Sequence, residues 1–438
     1  MERKMKEKSG ITLIALVVTI VVLLILAGIT INMLFSNGGI FKTAQDAAIA
    51  WNEATVNEQE SLNNLAEQIE NLVNGQTGGG DETPEEPVDI TTVTEIVQKE
   101  EGEKAKDTYG NVVVVPKGFK VVTSEGTTVP EGIVIEDSNG NQFVWIPVGT
   151  VYKDSTGTNT STIKLGRYTF STSDGTPTMQ HAAFAGDNPS SPDQTYASDP
   201  PVTIESYYQE LTTYREGTAS SGTDGLNATA KNLKAFVDSV QKNEGYYIAR
   251  YEASYGSGYN STGTNDAEKY ANAKPLSKVS TDNSIGSMTY DTPGKLWNYI
   301  TQLNASKVSQ NMYANDSSVG VESDLINSYA WDTAIVFIQS MKTENSNYSN
   351  ADSDITGNSS LMNTGETGDE VCNIFDMAAN LGEWTTEYST STGSSDAYPC
   401  TSRGGDYSSS RYFTAYRDSS SATISGINGG FRVGLYVK

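Results

Sequence analysis

The amino-acid sequence predicts an α+β protein in which one long N-terminal helix precedes a loop-rich domain. Residues 11–35 carry no charged side chain, and as a helix they would rise about 37 Å, enough to cross a hydrocarbon core of about 30 Å. From residue 110 onward, short apolar runs typical of strands alternate with turns rich in Gly, Ser and Asn. Only two later segments, 292–304 and 325–341, have the apolar spacing of helices.

Three segments are the clearest strand candidates: 110–122, 132–148 and 245–254. The tetrapeptide Ser-Asn-Gly-Asn at 138–141 separates two apolar runs, which predicts a β-hairpin at this point. The stretch 150–235 is rich in Ser, Thr, Gly and Asp and has few apolar runs, so we expect long surface loops there.

The first ten residues, MERKMKEKSG, place basic side chains directly before the apolar stretch, which predicts a cytoplasmic N-terminus and export of the rest of the chain. Gly10 lies directly before Ile11, between this charged leader (1–10) and the apolar helix. The arrangement resembles the leader of type IV pilins, which implies cleavage between Gly10 and Ile11. Pilins usually carry Glu at the fifth mature position, where this chain has Ala15. A minor or tip pilin, a lone anchored protein with the same leader and a simple signal anchor are therefore all left open.

Residues 11–75 are predicted to form one pilin-like helix, with residues 11–35 in the membrane and other pilins as candidate neighbours. Beyond the membrane segment, apolar residues continue at spacings of three and four, a stripe that core packing explains: Leu62, Leu65, Ile69, Leu72 and Val73. Residues 76–87, QTGGGDETPEEP, predict a flexible linker. We therefore expect the exported domain to comprise residues 88–438.

Composition and charge exclude several classes of function. The chain has 29 basic and 54 acidic residues, a formal net charge of −25, which argues against binding to nucleic acid. A single histidine, His181, excludes multi-histidine metal sites and most histidine-based catalytic triads. Cys372 and Cys400 predict one disulfide in an exported domain, with two buried thiols as the alternative. No metal site is predicted from these residues.

Three motifs near the C-terminus are the most informative part of the sequence. They are D-M-A-A-N-L-G-E-W at 376–384, R-G-G at 403–405 and G-F-R at 430–432. Together with P-K-G-F at 116–119 and F-V-W-I-P at 143–147, they resemble the formylglycine-generating-enzyme (sulfatase-modifying factor) family. The resemblance covers about residues 88–438 and implies a compact C-type-lectin-like fold.

The resemblance also implies that this chain lacks the family's chemistry. The oxygen-dependent enzymes bind copper through two cysteines after R-G-G, and those positions fall on Ser409 and Thr414 here. Hydroxyl groups cannot replace a pair of thiolates as ligands of a soft metal. We therefore predict a protein that is not an enzyme and that needs no cofactor.

The D-M-A-A-N-L-G-E-W segment is predicted to be scaffold. Its polar side chains would fix a loop by bonding backbone groups, and its indole would fill the core: Asp376, Asn380, Glu383 and Trp384. Because some members of the family bind calcium, a calcium site that uses Asn380 and Glu383 is the alternative.

Between R-G-G and G-F-R, small polar residues are interspersed with aromatic ones, without a helical or strand period. This segment resembles the variable part of proteins diversified by retroelements, in which mutated adenines turn Asn codons into Ser, Tyr, Asp, Thr or Phe. We place the variable region at 403–432 and expect Tyr407, Ala415 and Arg417 to be scaffold. The predicted exposed ligand-binding residues are Asp406, Ser408, Ser409, Ser410, Tyr412, Phe413, Tyr416, Asp418, Ser419 and Ser420.

These observations predict a membrane-anchored ligand-binding protein displayed outside the cytoplasm, as an adhesin, a receptor or a pilus tip. Tyr supplies contact area at a low entropic cost and Ser adapts its hydrogen bonds, as in antibody loops. A protein is the preferred partner over a sugar. Two other classes are left open: an enzyme of the same fold with different chemistry, and a structural minor pilin.

Overall fold

Two β-sheets organise the part of the chain that the computed structural model describes. The described residues are 86–184, 195–196, 202–203, 208–210, 233–283, 292–352, 359–389, 400–421 and 423–438. The predicted leader with its predicted cleavage between Gly10 and Ile11, the predicted helix at 11–75 and the predicted linker up to residue 85 lie outside these ranges. Among the described residues, no helix is both long and apolar enough to cross a membrane.

The predicted α+β class is wrong, because the described residues are rich in β-structure and contain only four short helices. The helices are α1 Leu233–Asn243, α2 Asp266–Lys269, α3 Gln302–Asn311 and α4 Ser328–Met341. The strands are β1 Val88–Asp89, β2 Glu103–Lys106, β3 Val112–Val115, β4 Phe119–Val121, β5 Val134–Asp137, β6 Gln142–Pro147, β7 Gly149–Tyr152, β8 Thr160–Ile163, β9 Gly166–Phe170, β10 Pro177–Ala182, β11 Thr195–Tyr196, β12 Val202–Thr203, β13 Tyr208–Glu210, β14 Gly245–Ala249, β15 Ser254–Ser257, β16 Lys274–Leu276, β17 Val321–Leu325, β18 Glu370–Val371, β19 Ile374–Phe375, β20 Gly382–Ser389, β21 Cys400–Arg403, β22 Arg417–Ser420, β23 Gly429–Phe431 and β24 Val433–Val437.

The larger sheet has six strands in the order β17-β24-β14-β6-β5-β4, and all of its pairings are antiparallel. Its central strands, β6 and β14, are buried almost throughout, which explains why both appear in the sequence as continuous apolar runs. Trp145 packs against Tyr247 with a distance of 5.0 Å between ring centroids. A side chain at Gly245 would lie 2.2 Å from the Trp145 ring, so only glycine fits there.

Two hairpin turns have the same pattern of hydrogen bonds. In D-T-Y-G-N at 107–111 and D-S-N-G-N at 137–141, the Asp carboxylate accepts hydrogen bonds of 2.8–2.9 Å from the backbone N–H groups two and four residues later. The Asn side chain that ends each turn donates to the same carboxylate. Gly110 and Gly140 have φ values of 101° and 79°, which favour glycine. The hairpin predicted at 138–141 is confirmed.

The one predicted helix found among the described residues has an N-cap residue next to it in the sequence. Helix α4 begins after Asn327, whose side chain accepts a hydrogen bond from the Ala330 N–H, as predicted for 325–341. The helix predicted at 292–304 is wrong for most of its length, because helix α3 begins only at Gln302 and because Leu296 and Trp297 donate their backbone N–H groups to distant segments. Helix α1 and the strands β7–β10 lie in or beside the stretch 150–235, where only long loops were expected.

The smaller sheet has five strands, in the order β13-β20-β21-β22, with β23 pairing in parallel to β20. Strands β21 and β22 are antiparallel, and Arg403 lies opposite Arg417. Residues 404–416 therefore form a connection closed at its base by two arginines. We call residues 404–416 the connection.

Candidate functional site

The predicted ligand-binding residues all lie on the connection or on β22, so the structure places them on one continuous segment. Directly beneath this segment lies a buried group of charged side chains, which we call the ionic clamp: Arg167, Asp332, Glu387, Arg403 and Arg417. The clamp residues come from β9, α4, β20, β21 and β22, and each is at most 3% exposed.

The ionic clamp joins both ends of the connection to the core. Arg417 donates to both oxygens of Glu387, at 2.7 and 2.9 Å, and to Asp332 at 2.6 Å. Arg403 also pairs with Asp332, and Arg167 pairs with Glu387. Burial alone would raise the pKa of Glu387, but the arginines Arg417, Arg167 and Arg403 outweigh it and lower the pKa to about 2.

Further bonds fix the backbone of the connection near its C-terminal end. The Trp331 indole donates to the Thr414 carbonyl at 3.0 Å, and Arg403 Nε donates to the Tyr416 carbonyl at 3.0 Å. The Thr414 N–H in turn donates to the carbonyl of Ala351 at 3.0 Å. The anchoring groups are therefore buried side chains and backbone atoms outside the connection.

The N-terminal end of the connection rests on residues 377–381, which we call the cradle. Gly404 has a φ of 84°, and a Cβ atom at Gly405 would lie 2.1 Å from the carbonyl oxygen of Ala378. The Tyr407 N–H donates to the Asn380 carbonyl at 3.1 Å. The glycines of the R-G-G motif are thus required for close contact between two backbones.

Most of the predicted ligand-binding side chains are accessible, and one is not. Ser408 and Ser410 are exposed, and Ser409, Tyr412, Phe413, Tyr416, Asp418 and Ser420 are partly exposed, while the side chain of Ser419 lies outside the described set. Asp406 is only 7% exposed, so its predicted exposure is wrong. Its carboxylate accepts from the Ser408 N–H at 2.7 Å and from the Ser408 hydroxyl at 2.6 Å, which makes it part of the turn.

The aromatic residues of the connection form a cluster. The ring centroids of Tyr412 and Tyr416 lie 4.9 Å apart, and those of Phe413 and Tyr416 lie 5.4 Å apart. These contacts order three large side chains before any ligand binds, which reduces the entropic cost of binding. The predicted scaffold residues Ala415 and Arg417 are buried, as expected.

Sequence reasoning missed three residues beside this surface. Arg411 is exposed within the connection. Asn428 donates to the Ser408 hydroxyl at 2.8 Å and so joins the following loop to the connection. Ile424, in that loop, is 47% exposed. An isolated Ile in a Ser/Gly-rich run was the one signal that could have pointed to it.

The D-M-A-A-N-L-G-E-W motif at 376–384 serves the scaffold. Both oxygens of Glu383 accept from Arg432, and the Asn380 side chain donates to Glu252 and accepts from the Met362 N–H. Trp384 donates to the Ile300 carbonyl at 2.8 Å. Because both oxygens of Glu383 bond Arg432 and the Asn380 amide oxygen already accepts from the Met362 N–H, these residues do not fit a calcium ion. Within the described ranges, no group of three or more His, Cys, Asp or Glu side chains is arranged to hold a metal.

The two cysteines are buried thiols that are not joined to each other, so the predicted disulfide is not formed. Cys372 lies between β18 and β19 with its thiol 3.6 Å from the Pro130 carbonyl, whereas Cys400 begins β21 opposite Ser420. Burial raises the pKa of Cys372 to about 12. The alternative of two buried thiols is the observed state.

No family model matches the chain, and no curated protein matches it. Among solved structures, the chain is a weak neighbour of Treponema denticola variable protein 1, with 15% sequence identity and a TM-score of 0.24. The match covers 44% of this chain and 96% of that chain. A TM-score this low gives no basis for carrying over properties, and the resemblances to formylglycine-generating enzymes and to pilins stay predictions.

Proposed function

We propose that this chain is a non-catalytic binding protein displayed outside the cytoplasm, and that the connection and β22 form its ligand-contact surface. One observation carries the proposal. Both ends of the connection are held by the ionic clamp, by Trp331 and by the cradle, all of which lie outside residues 404–416. The exposed and partly exposed side chains between these ends are accessible for contacts with a partner.

The chemistry of the surface fits a protein partner. Tyr412, Phe413 and Tyr416 supply a preordered aromatic area, and Ser408 and Ser410 supply adaptable hydrogen-bonding groups around it. Arg411 adds one exposed positive charge. Arg and Tyr are among the residues that contribute most to protein–protein binding.

We further propose that the surface is diversified at the level of the gene. The anchoring groups leave the solvent-facing positions free to change, and the residue types at 406–420 are those that adenine mutagenesis of Asn codons produces. Deep sequencing of the 3′ end of the gene, in a population grown from one cell, tests this. Substitutions confined to adenines of these codons, with Arg403 and Phe431 unchanged, are expected. A uniform 3′ end would refute diversification and leave binding to one fixed ligand.

Display outside the cytoplasm rests on the sequence alone. The basic leader, the uncharged stretch 11–35 and the linker 76–87 support a membrane anchor that carries the domain outward. The proposed lack of catalytic activity is supported by Ser409 and Thr414, which carry hydroxyl groups where the resemblance would place the thiolates that bind copper. Thr414 is fully buried and donates to the Ala351 carbonyl, a scaffold role.

A pair of matched libraries tests the surface directly. The first randomises Ser408, Ser410, Tyr412 and Tyr416, and the second randomises Arg403, Thr414, Ala415 and Arg417. Each displayed library is sorted for resistance to protease and then for binding to one purified probe protein, such as lysozyme. We expect most members of the first library and few members of the second to fold, and binders to come from the first. Equal folding losses in the two libraries would contradict the proposal.

A further inference from the structure

A second buried group of charged residues lies beside the cradle. Four carboxyl groups, Glu252, Asp369, Asp376 and Glu383, surround a single guanidinium, that of Arg432, and all five side chains are at most 3% exposed. Of the four, Glu383 is paired with Arg432 by two hydrogen bonds. We call these five residues the acid cluster. If every carboxyl were ionised, the acid cluster would hold a large uncompensated negative charge in the interior.

The acid cluster holds the backbone of the cradle. The Ala378 N–H donates to Asp369 at 2.7 Å, and the Leu381 N–H donates to Glu252 at 2.9 Å. The Asp376 carboxylate accepts from the Gly365 N–H at 2.7 Å, and this bond ties the cradle's entry to the preceding loop. Two carboxyls thus bond the two ends of the segment on which the connection rests.

The cradle in turn positions the connection. Gly404 and Gly405 lie against the carbonyls of Met377 and Ala378, and Tyr407 donates its N–H to the Asn380 carbonyl. Because these contacts are between backbones, a shift of the cradle must displace the N-terminal end of the connection.

Asp369 is the member of the acid cluster that titrates near neutrality. Burial raises the pKa of Asp369 to about 7; the neighbouring Asp376 also raises it, while the Ala378 N–H, the Tyr348 hydroxyl and Arg432 lower it. Burial, together with Asp376 and Glu383, also raises the pKa of Glu252 well above its usual range. A carboxyl whose pKa is raised by folding stabilises the folded state fully only below its ordinary pKa, here 3.8, and this contribution is lost as pH rises from there through the raised pKa.

We propose that proton binding by the acid cluster holds the cradle in place, so that the connection is stiffer in mildly acidic than in mildly alkaline solution. The acid cluster would then make the mobility of the connection depend on pH, through the backbone of the cradle. The consequence for ligand affinity rests on the proposed function, whereas the change in stiffness does not.

Hydrogen exchange tests the proposal on the full-length chain in mild detergent between pH 5.5 and 8.5. At each pH the wild type is compared with Asp369→Asn, which keeps an acceptor for the Ala378 N–H and has no charge to lose. Comparison at equal pH cancels the intrinsic pH dependence of exchange. In peptides that cover 377–381 and 404–412, we expect the ratio of wild-type to Asp369→Asn exchange to rise about 30-fold between pH 5.5 and pH 8.5.

Two further variants complete the test. Glu366→Gln removes an exposed carboxyl from the same loop as Asp369 and should leave exchange unchanged at every pH. Tyr348→Phe removes a hydrogen bond that lowers the pKa of Asp369, so the onset of fast exchange should move to higher pH. A constant ratio between the wild type and Asp369→Asn across the pH range, or no upward move in Tyr348→Phe, would overturn the proposal.

Discussion

Replacing Glu387 with Gln is the most direct test of the ionic clamp. The substitution removes the carboxylate that pairs with Arg167, Arg403 and Arg417, all of them buried. The fall in the pKa of Glu387 from 4.5 to about 2 is equivalent to about 3 kcal/mol of stabilisation of the charged form. Loss of one partner from a buried ion pair costs a similar amount, about 3–5 kcal/mol. We therefore expect Glu387→Gln to lower the free energy of unfolding by about 3 kcal/mol at pH 7.

The lowered pKa of Glu387 also predicts how its contribution to stability changes with pH. Because folding lowers the pKa of Glu387, its contribution is fully present above pH 4.5 and is lost as pH falls through about 2. The difference in unfolding free energy between the wild type and Glu387→Gln should therefore shrink from pH 5 to pH 2. Urea unfolding followed by tryptophan fluorescence, on the full-length chain in mild detergent, measures both quantities.

A matched control is Glu101→Gln, which removes a carboxyl that is exposed. It should change the unfolding free energy by less than about 0.5 kcal/mol. A loss below about 1 kcal/mol for Glu387→Gln, or a difference from the wild type that does not shrink in acid, would show that the ionic clamp does not hold the connection.

Two further predictions concern the cradle and the thiols. Gly405→Ala places a methyl group 2.1 Å from the Ala378 carbonyl oxygen and should lower the melting temperature through a loss of about 3 kcal/mol, whereas Gly426→Ala, with no neighbouring atom closer than 4.0 Å, should change stability by less than about 1 kcal/mol. Because Cys372 and Cys400 are buried and not joined by a disulfide, reductant should not shift the melting temperature, and both thiols should react with a maleimide only after denaturation. A reductant-sensitive melting temperature would instead indicate a disulfide.

Sequence reasoning identified those parts of the fold whose signals are local. The D-S-N-G-N turn at 137–141 and helix α4 with its Asn327 cap contain their own hydrogen-bonding partners, so short windows of sequence were sufficient. The segment 292–300 has an equally helical pattern, but its N–H groups bond Ala253 and Asp282. Such long-range partners are not visible in a window of sequence, and they also explain why the class was misjudged.

The sequence predicted which segment forms the candidate site but not the buried groups that hold it. The mixture of Tyr and Ser predicted a segment whose side chains are mostly accessible. Of the three residues predicted to be scaffold, Ala415 and Arg417 are buried and Tyr407 is partly exposed. The ionic clamp was missed because Arg167 and Asp332 lie far from Arg403 in the sequence and carry no motif. Asp406 was assigned to the surface because its turn-forming bonds to Ser408 require the folded backbone.

The cross-strand pairing of Arg403 with Arg417 on β21 and β22 also affects how long the connection can be. A connection whose two ends are fixed by buried groups need not keep a constant number of residues between them. Extra residues inserted beside Ser410 and Arg411, both exposed, would add only the entropy of closing a longer loop, about 0.6 kcal/mol for each doubling. The domain therefore offers an insertion point where recognition could be changed by the size of the loop as well as by its composition.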